Sequence, residues 1–173
     1  MTVVNRLREC IRDVPDFPRK GILFRDLTPV LEQPALFREL ISAMVAPWRE
    51  AGLTRIAAVE SRGFLFGVPM AQELNLGVSL VRKAGKLPHR TLRRAYQLEY
   101  GEGVLEVHAD TVGPKDRVII VDDLLATGGT AAAAEHLLRE TGADVVGSAF
   151  VVELAGLEGR RHLQGRVEAL LRY

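Results

Sequence analysis

Cysteine is nearly absent from this chain: Cys10 is the single one. One thiol can form neither an internal disulfide nor a cysteine-rich metal site, a usage that fits a reducing cytoplasm. An excess of charge of either sign is missing too, with 23 Lys and Arg against 22 Asp and Glu and a formal net charge of +1. That balance gives no electrostatic case for nucleic acid or an anionic membrane as the main partner. No apolar run approaches the ~20 residues of a membrane-spanning helix. The opening "MTVVNRLREC" lacks the apolar core of a signal peptide. His89, His108, His136 and His162 are far apart, without ligand spacing, and read as surface residues.

What is present is the material of an ordinary globular domain. The 173 residues are 47% hydrophobic and 26% charged, a size and balance expected of one domain that buries roughly 70% of its unfolded surface. Helical spacing joins Val4, Leu7, Cys10 and Ile11, and again Leu36, Leu40, Met44 and Val45 in a segment that starts at Pro34 and ends at Gly52. "RIAAVE" (Arg55–Glu60), "VSLVRK" (Val78–Lys83), "RVIIVDD" (Arg117–Asp123) and "ADVVGSAFVVEL" (Ala143–Leu154) read as strands, and "RVEALLRY" (Arg166–Tyr173) as a closing one. "FLFGVPMAQEL" (Phe64–Leu74) and an alanine-rich segment after Gly129 read as helices between them. Strands alternating with helices predict a parallel α/β sheet covered on both faces.

Residues 83–116 break that rhythm. Tyr96, Leu98 and Tyr100 alternate, Gly101-Glu102-Gly103 reads as a turn, and Val104, Leu105 and Val107 follow, which together signal a hairpin. The basic "GKLPHRTLRR" before it has almost nothing to bury and reads either as a solvated loop or as a functional lid.

The most informative stretch is "VIIVDDLLATGGT" (Val118–Thr130). Asp122 and Asp123 stand where an apolar strand ends, the place where open parallel sheets bind ligands. The turn Ala126–Thr130 then enters a helix whose free N–H groups and dipole attract an anion. Gly128 and Gly129 permit close approach of phosphate oxygens, and Thr127 and Thr130 add hydroxyl donors. Carboxylates accept hydrogen bonds from vicinal hydroxyls, so an acceptor pair for a ribose diol precedes a donor cup for a phosphate. Either carboxylate alone would read as a solvated strand end; joined to the cup, the pair points to a ribose 5-phosphate. No lysine follows the glycines at Walker spacing.

This stretch resembles the phosphoribosyl-pyrophosphate (PRPP) signature of the type I phosphoribosyltransferases. Three further blocks resemble the adenine-using branch of that family: "DFPRKGILFRDLTPVL" (Asp16–Leu31), "ESRGFLFG" (Glu60–Gly67) with "VRKAGKLP" (Val81–Pro88), and "YQLEYG" (Tyr96–Gly101). The resemblance implies an α/β fold with a mostly parallel central sheet flanked by helices. It implies one transferase domain over 1–173, with an N-terminal base-binding hood at 1–33 and a β-hairpin lid inserted at 83–109. The implied activity is purine salvage: AMP and pyrophosphate made from adenine and PRPP by a homodimer in the cytoplasm. The implied cofactor is Mg²⁺, held mainly by PRPP oxygens and not by a protein metal site.

The same resemblance assigns roles residue by residue. Asp122 and Asp123 would bind the ribose hydroxyls, and Ala126, Thr127, Gly128, Gly129 and Thr130 the 5-phosphate. Ser61 and Arg62 would hold the pyrophosphate, beside a cis Glu60–Ser61 peptide, and Arg82, Lys83 and Lys86 would add positive charge there. Leu23, Phe24 and Arg25 would wall the adenine, with Leu124 and Leu125 packed on it. Glu99 would handle the purine proton, making Glu99, Arg62 and Lys86 the catalytic set. Two other readings compete. One is a transferase for xanthine or hypoxanthine. The other is a non-catalytic PRPP-sensing regulator, for which the short stretch before Asp16 leaves little room for a DNA-binding domain.

Overall fold

The structure, a computed structural model, describes residues 2–97 and 102–173. The chain divides into two compact units, residues 1–43 and 44–173.

In the first unit, helix α1 (Val3–Cys10) is capped by Thr2, whose side chain accepts from the Asn5 N–H, and it buries Leu7 completely. Strands β1 (Arg12–Pro15) and β2 (Leu23–Asp26) form an antiparallel hairpin with Val14 opposite Phe24. The connection holds a cis Phe17–Pro18 peptide and a left-handed Asp16, whose carboxylate accepts from the Gly21 N–H at 2.6 Å. Asp26 accepts from both the N–H and the hydroxyl of Thr28 and so starts the short helix α2 (Thr28–Leu31). Helix α3 (Pro34–Val45) follows, with Leu36, Leu40, Met44 and Val45 buried as their spacing predicts. It stops short of Gly52: Pro47 cannot donate within a helix, and the chain tightens into a single 3-10 turn at Ala46–Trp48.

The second unit is built on a sheet. Its strands are β3 (Arg55–Val59), β4 (Gly77–Lys83), β5 (Thr91–Gln97), β6 (Glu102–His108), β7 (Arg117–Leu125), β8 (Asp144–Glu153) and β9 (Arg166–Arg172). Among the described residues they lie in the order β5-β6-β4-β3-β7-β8-β9. From β4 through β9 neighbouring strands run parallel, while β6 is antiparallel to both β4 and β5. The sheet is thus mostly parallel, with the hairpin appended at one edge.

Helices cover opposite faces. Helix α4 (Gly63–Leu74) lies on the face of Ile56 and Ala58, close enough that a Cβ on Gly67 would sit 2.6 Å from the Ala58 Cβ. Helix α5 (Gly129–Glu140) packs Ala133, Ala134, Leu137 and Leu138 against Ala57, Val59, Val118 and Ile120 on the other face. Both faces being covered explains why β3 and β7 read as unbroken apolar runs.

The hairpin differs from its sequence pattern in two respects. Gln97 pairs with Glu102 and Tyr96 with Gly103, so Glu102 and Gly103 belong to β6 and not to the turn. Gly103 suits that strand because the Tyr96 ring lies across it, where a Cβ would come within 2.7 Å. Thr91–Arg94, expected in a basic loop, are part of β5, because the buried Glu106 opposite them accepts from Thr91 and Arg93. A polar strand satisfied by one buried carboxylate has no alternating signature.

Candidate active site

The sheet delivers its most unusual side chains at the end of β7. Asp122 lies against the first turn of α4, where a Cβ on Gly63 would meet its Oδ1 at 3.1 Å. Its Oδ1 accepts from the Asp123 N–H at 2.9 Å. Burial, and then the like charge of Asp123, push the Asp122 carboxyl well above the ordinary aspartate range. Asp123 is itself buried, 4% exposed, and its Oδ2 meets Arg62 Nε at 2.9 Å.

Past the aspartates the chain makes the turn at Ala126–Thr130. Gly128 takes φ 84°, a left-handed conformation that favours glycine, and α5 begins at the next residue. A hollow of about 210 Å³ opens over this turn, lined from Asp122 to Ala131 and by Arg62. The turn is held from behind by the 3-10 segment Gly159–His162: a Cβ on Gly159 would come within 2.2 Å of the Ala126 carbonyl oxygen. That segment is anchored by Arg160, which donates to both oxygens of the buried Glu153 and to the Val167 carbonyl.

A second hollow of about 250 Å³ adjoins the first and shares Arg62, Asp122, Asp123 and Thr130 with it. It is also lined by Glu60, Ser61, Lys83 and Tyr96. The Glu60–Ser61 peptide is cis. Together the hollows have carboxylate acceptors at the centre, an N–H-rich cup on one side and cationic side chains on the other. A sugar phosphate carrying a second anionic group matches that order of charges.

Arg82 and Lys86 lie apart from these two hollows. Arg82 Nε donates to Glu60 Oε2 at 3.2 Å, its Nη1 donates to the Lys86 carbonyl at 3.0 Å, and its guanidinium carbon lies 6.0 Å from the Phe64 ring centre. Burial raises the Glu60 pKa, but the Lys83 N–H and Arg82 outweigh it and leave the carboxyl below its usual range. Leu124 is half-buried, whereas Leu125 is 1% exposed in a cluster with Ala131, Phe150 and Val167. Leu23, Phe24 and Arg25 sit on β2 of the first unit, Phe24 edge-on to Phe17 and Arg25 ion-paired with Asp13. Glu99 lies outside the described residues. Sequence reasoning passed over Glu106, Glu153 and Gly159, and gave the Glu60 carboxylate no role. Glu106 carried a signal, a lone carboxylate among Val104, Leu105 and Val107; Gly159 carried none, because its role is a backbone contact with a distant turn.

A family model for the phosphoribosyl transferase domain matches residues 30–168. The adenine phosphoribosyltransferase of Anaeromyxobacter dehalogenans is 51% identical over 172 residues, covering 99% of this chain and 100% of that one. A crystal structure of adenine phosphoribosyltransferase from Rhodothermus marinus superposes with a TM-score of 0.93 at 47% identity, over 99% of this chain and 98% of that one. The Saccharomyces cerevisiae enzyme, crystallised with adenine and an imino-altritol bisphosphate, gives a TM-score of 0.95 at 40% identity, over 98% of both chains. The two hollows around Asp122, Asp123 and Arg62 therefore lie in a chain that belongs to the adenine phosphoribosyltransferase family.

Proposed function

We propose that this chain transfers the phosphoribosyl group of PRPP to adenine, giving AMP and pyrophosphate in purine salvage. The observation that carries the reading is the Asp122–Asp123 pair joined directly to the Ala126–Thr130 cup, with Arg62 across from it. The carboxylates accept from the ribose hydroxyls while the cup and the start of α5 bind the 5-phosphate. Ser61, Arg62 and Lys83 line the hollow that takes the pyrophosphate, and Arg82 and Lys86, outside its lining, add positive charge to that side.

The reaction breaks the bond between C1 of the ribose and pyrophosphate oxygen, and the electron pair leaves with pyrophosphate. Positive charge grows on the sugar and negative charge on the leaving group, where Arg62 and Lys86 stabilise it. Adenine N9 forms the new bond to C1, and Glu99 takes the ring proton. Leu23, Phe24 and Arg25 are the proposed adenine wall in a hood at 1–33, and half-buried Leu124 is the β7 residue proposed to pack on the base; Leu125, 1% exposed in its own cluster, is not. Residues 83–109 act as the lid that excludes water, the competing nucleophile; Tyr96 of β5 lining the second hollow supports this.

Mg²⁺ prefers oxygen ligands and usually keeps several from water and substrate. Among the described residues no group of three His, Cys, Asp or Glu side chains is placed to hold a metal ion, and of the three carboxylates lining the second hollow Glu60 is already bonded to Arg82 and the Lys83 N–H, which leaves Asp122 and Asp123. That donor set suits an ion held mainly by PRPP oxygens, to which Asp122 and Asp123 would be the side chains able to contribute. When bound, the ion neutralises charge on the leaving pyrophosphate.

The assembly proposed is a homodimer. Leu80 is the register partner of Ala58, so it shares the α4 face of the sheet. It is exposed there, as are Leu65 and Val68 on α4. Among the described residues no helix is long and apolar enough to cross a membrane; the lone cysteine supports a cytoplasmic setting.

Labelled adenine incubated with PRPP and Mg²⁺ should yield labelled AMP and an equal amount of pyrophosphate. No product, or product without PRPP, contradicts the assignment. In the same assay Glu99→Leu should lower kcat by about 10²–10⁴, the range of general acid–base catalysis, while Glu102→Gln stays near wild type. Full kcat in Glu99→Leu removes Glu99 from the proton step.

A further inference from the structure

Glu106 stands on β6 with no exposed surface, and the chemistry above makes no use of it. Its two oxygens serve different segments. Oε1 accepts from the Lys86 and Leu87 N–H groups, both at 2.8 Å, and Oε2 accepts from Arg93 Nε at 3.1 Å and the Thr91 hydroxyl at 3.4 Å. Strand register sets this up. Arg82 on β4 and Arg93 on β5 are its cross-strand partners on either side, so the three side chains form one row on one face. Arg82 completes the hold by donating to the Lys86 carbonyl while its Nε is fixed by Glu60. Both peptide groups of Lys86 are therefore clamped by side chains from two strands, while the Lys86 side chain itself is exposed.

A buried carboxylate is costly unless it is fully bonded. Burial here raises the pKa, but the N–H groups of Leu87, Gly85 and Lys86, with Arg93, outweigh it and hold it at about 2. A plain connection between β4 and β5 could satisfy its N–H groups with water. A buried ionised anchor is the arrangement expected when one residue of the loop must be held in place.

We propose that Glu106 is a positioning residue for the leaving-group site. It fixes the Lys86 peptide so that the lysine ammonium meets the pyrophosphate of PRPP, and through Arg93 it ties that loop to β5 of the lid hairpin. This rests on the transferase reading above.

Two variants of the full chain test it. Glu106→Leu removes both sets of bonds. Glu106→Gln keeps an oxygen for Lys86 and Leu87 but turns its NH₂ toward Arg93, a donor facing a donor, and toward Thr91, whose hydroxyl can turn to accept. The KM for PRPP should rise about tenfold or more in Glu106→Leu, as when a charged hydrogen-bond partner is lost, and less in Glu106→Gln. The KM for adenine should keep its wild-type value in both. Trypsin should cut after Lys86 fastest in Glu106→Leu and faster than wild type in Glu106→Gln. Cleavage reports on the loop even if the chain makes no AMP, so failure of the transferase reading and failure of this one are told apart. Should Glu106→Leu not fold, Glu106→Gln decides alone by the same split. Equal rises in both KM values, an unchanged PRPP KM, or wild-type cleavage after Lys86 overturns the proposal.

Discussion

Asp122 carries opposed demands in a single side chain. Its carboxyl is raised well above the ordinary range because burial and Asp123 disfavour its charge, yet an ionised acceptor is what binds a ribose diol. A raised pKa means the folded state holds the proton more tightly than the unfolded chain. Stability from this group is therefore present at low pH and is lost as pH climbs from the ordinary aspartate range through the raised value. Asp122→Asn, which can still accept from the Asp123 N–H, should raise the melting temperature at neutral pH. It should also weaken PRPP binding by about 1.5–3 kcal/mol, the worth of a charged hydrogen bond. A lower melting temperature, or unchanged PRPP kinetics, would remove Asp122 from this role. Gly159 makes the complementary residue-scale case. Alanine there cannot keep its Cβ 2.2 Å from the Ala126 oxygen, so the Ala126–Thr130 turn must shift. Gly159→Ala should raise the KM for PRPP and leave that for adenine little changed, which steady-state kinetics in each substrate would show. The aspartates and the cup were legible because they are contiguous in sequence. Gly159 was not, because a backbone contact between separate elements leaves no mark in composition or spacing.

At the scale of elements, Gly63 and Gly67 let α4 lie directly on β3 and β7. A Cβ at Gly67 would gain about 0.5–1 kcal/mol of helix propensity. It would also stand 2.6 Å from the Ala58 Cβ, and overpacking of that kind typically costs about 1–3 kcal/mol. The clash outweighs the propensity. Gly67→Ala should lower stability in denaturant titration, and because Ser61 and Arg62 precede α4, PRPP use should suffer with it. Unchanged stability would mean that the helix rides freely on the sheet. Apolar runs and 3.6-residue spacing made β3, β4, β7, β8, β9 and the long helices legible. The hairpin β1–β2 was missed: its strands are four residues each, joined through a cis proline and a left-handed Asp16. β5 was half missed, because its Arg93 and Thr91 are satisfied by Glu106 from the next strand.

At the scale of the whole molecule, the sheet in residues 44–173 gathers segments remote in sequence around one hollow: the end of β3, the turn that ends at Thr130, and Tyr96 of the hairpin. Charge balance and cysteine usage said little about this chemistry. The choice of base belongs to this scale too. Adenine offers an acceptor at N1 and a donor amine, and hypoxanthine reverses both. A site built to pair with one leaves buried groups unpaired with the other, a penalty that can reach ~10⁴ in specificity. The direct test is the ratio of kcat/KM for adenine to that for hypoxanthine, at saturating PRPP and Mg²⁺, with guanine and xanthine alongside. Adenine should lead hypoxanthine by about 10⁴, with AMP the sole nucleotide formed in quantity; comparable turnover of hypoxanthine, or of either other base, would contradict the adenine assignment.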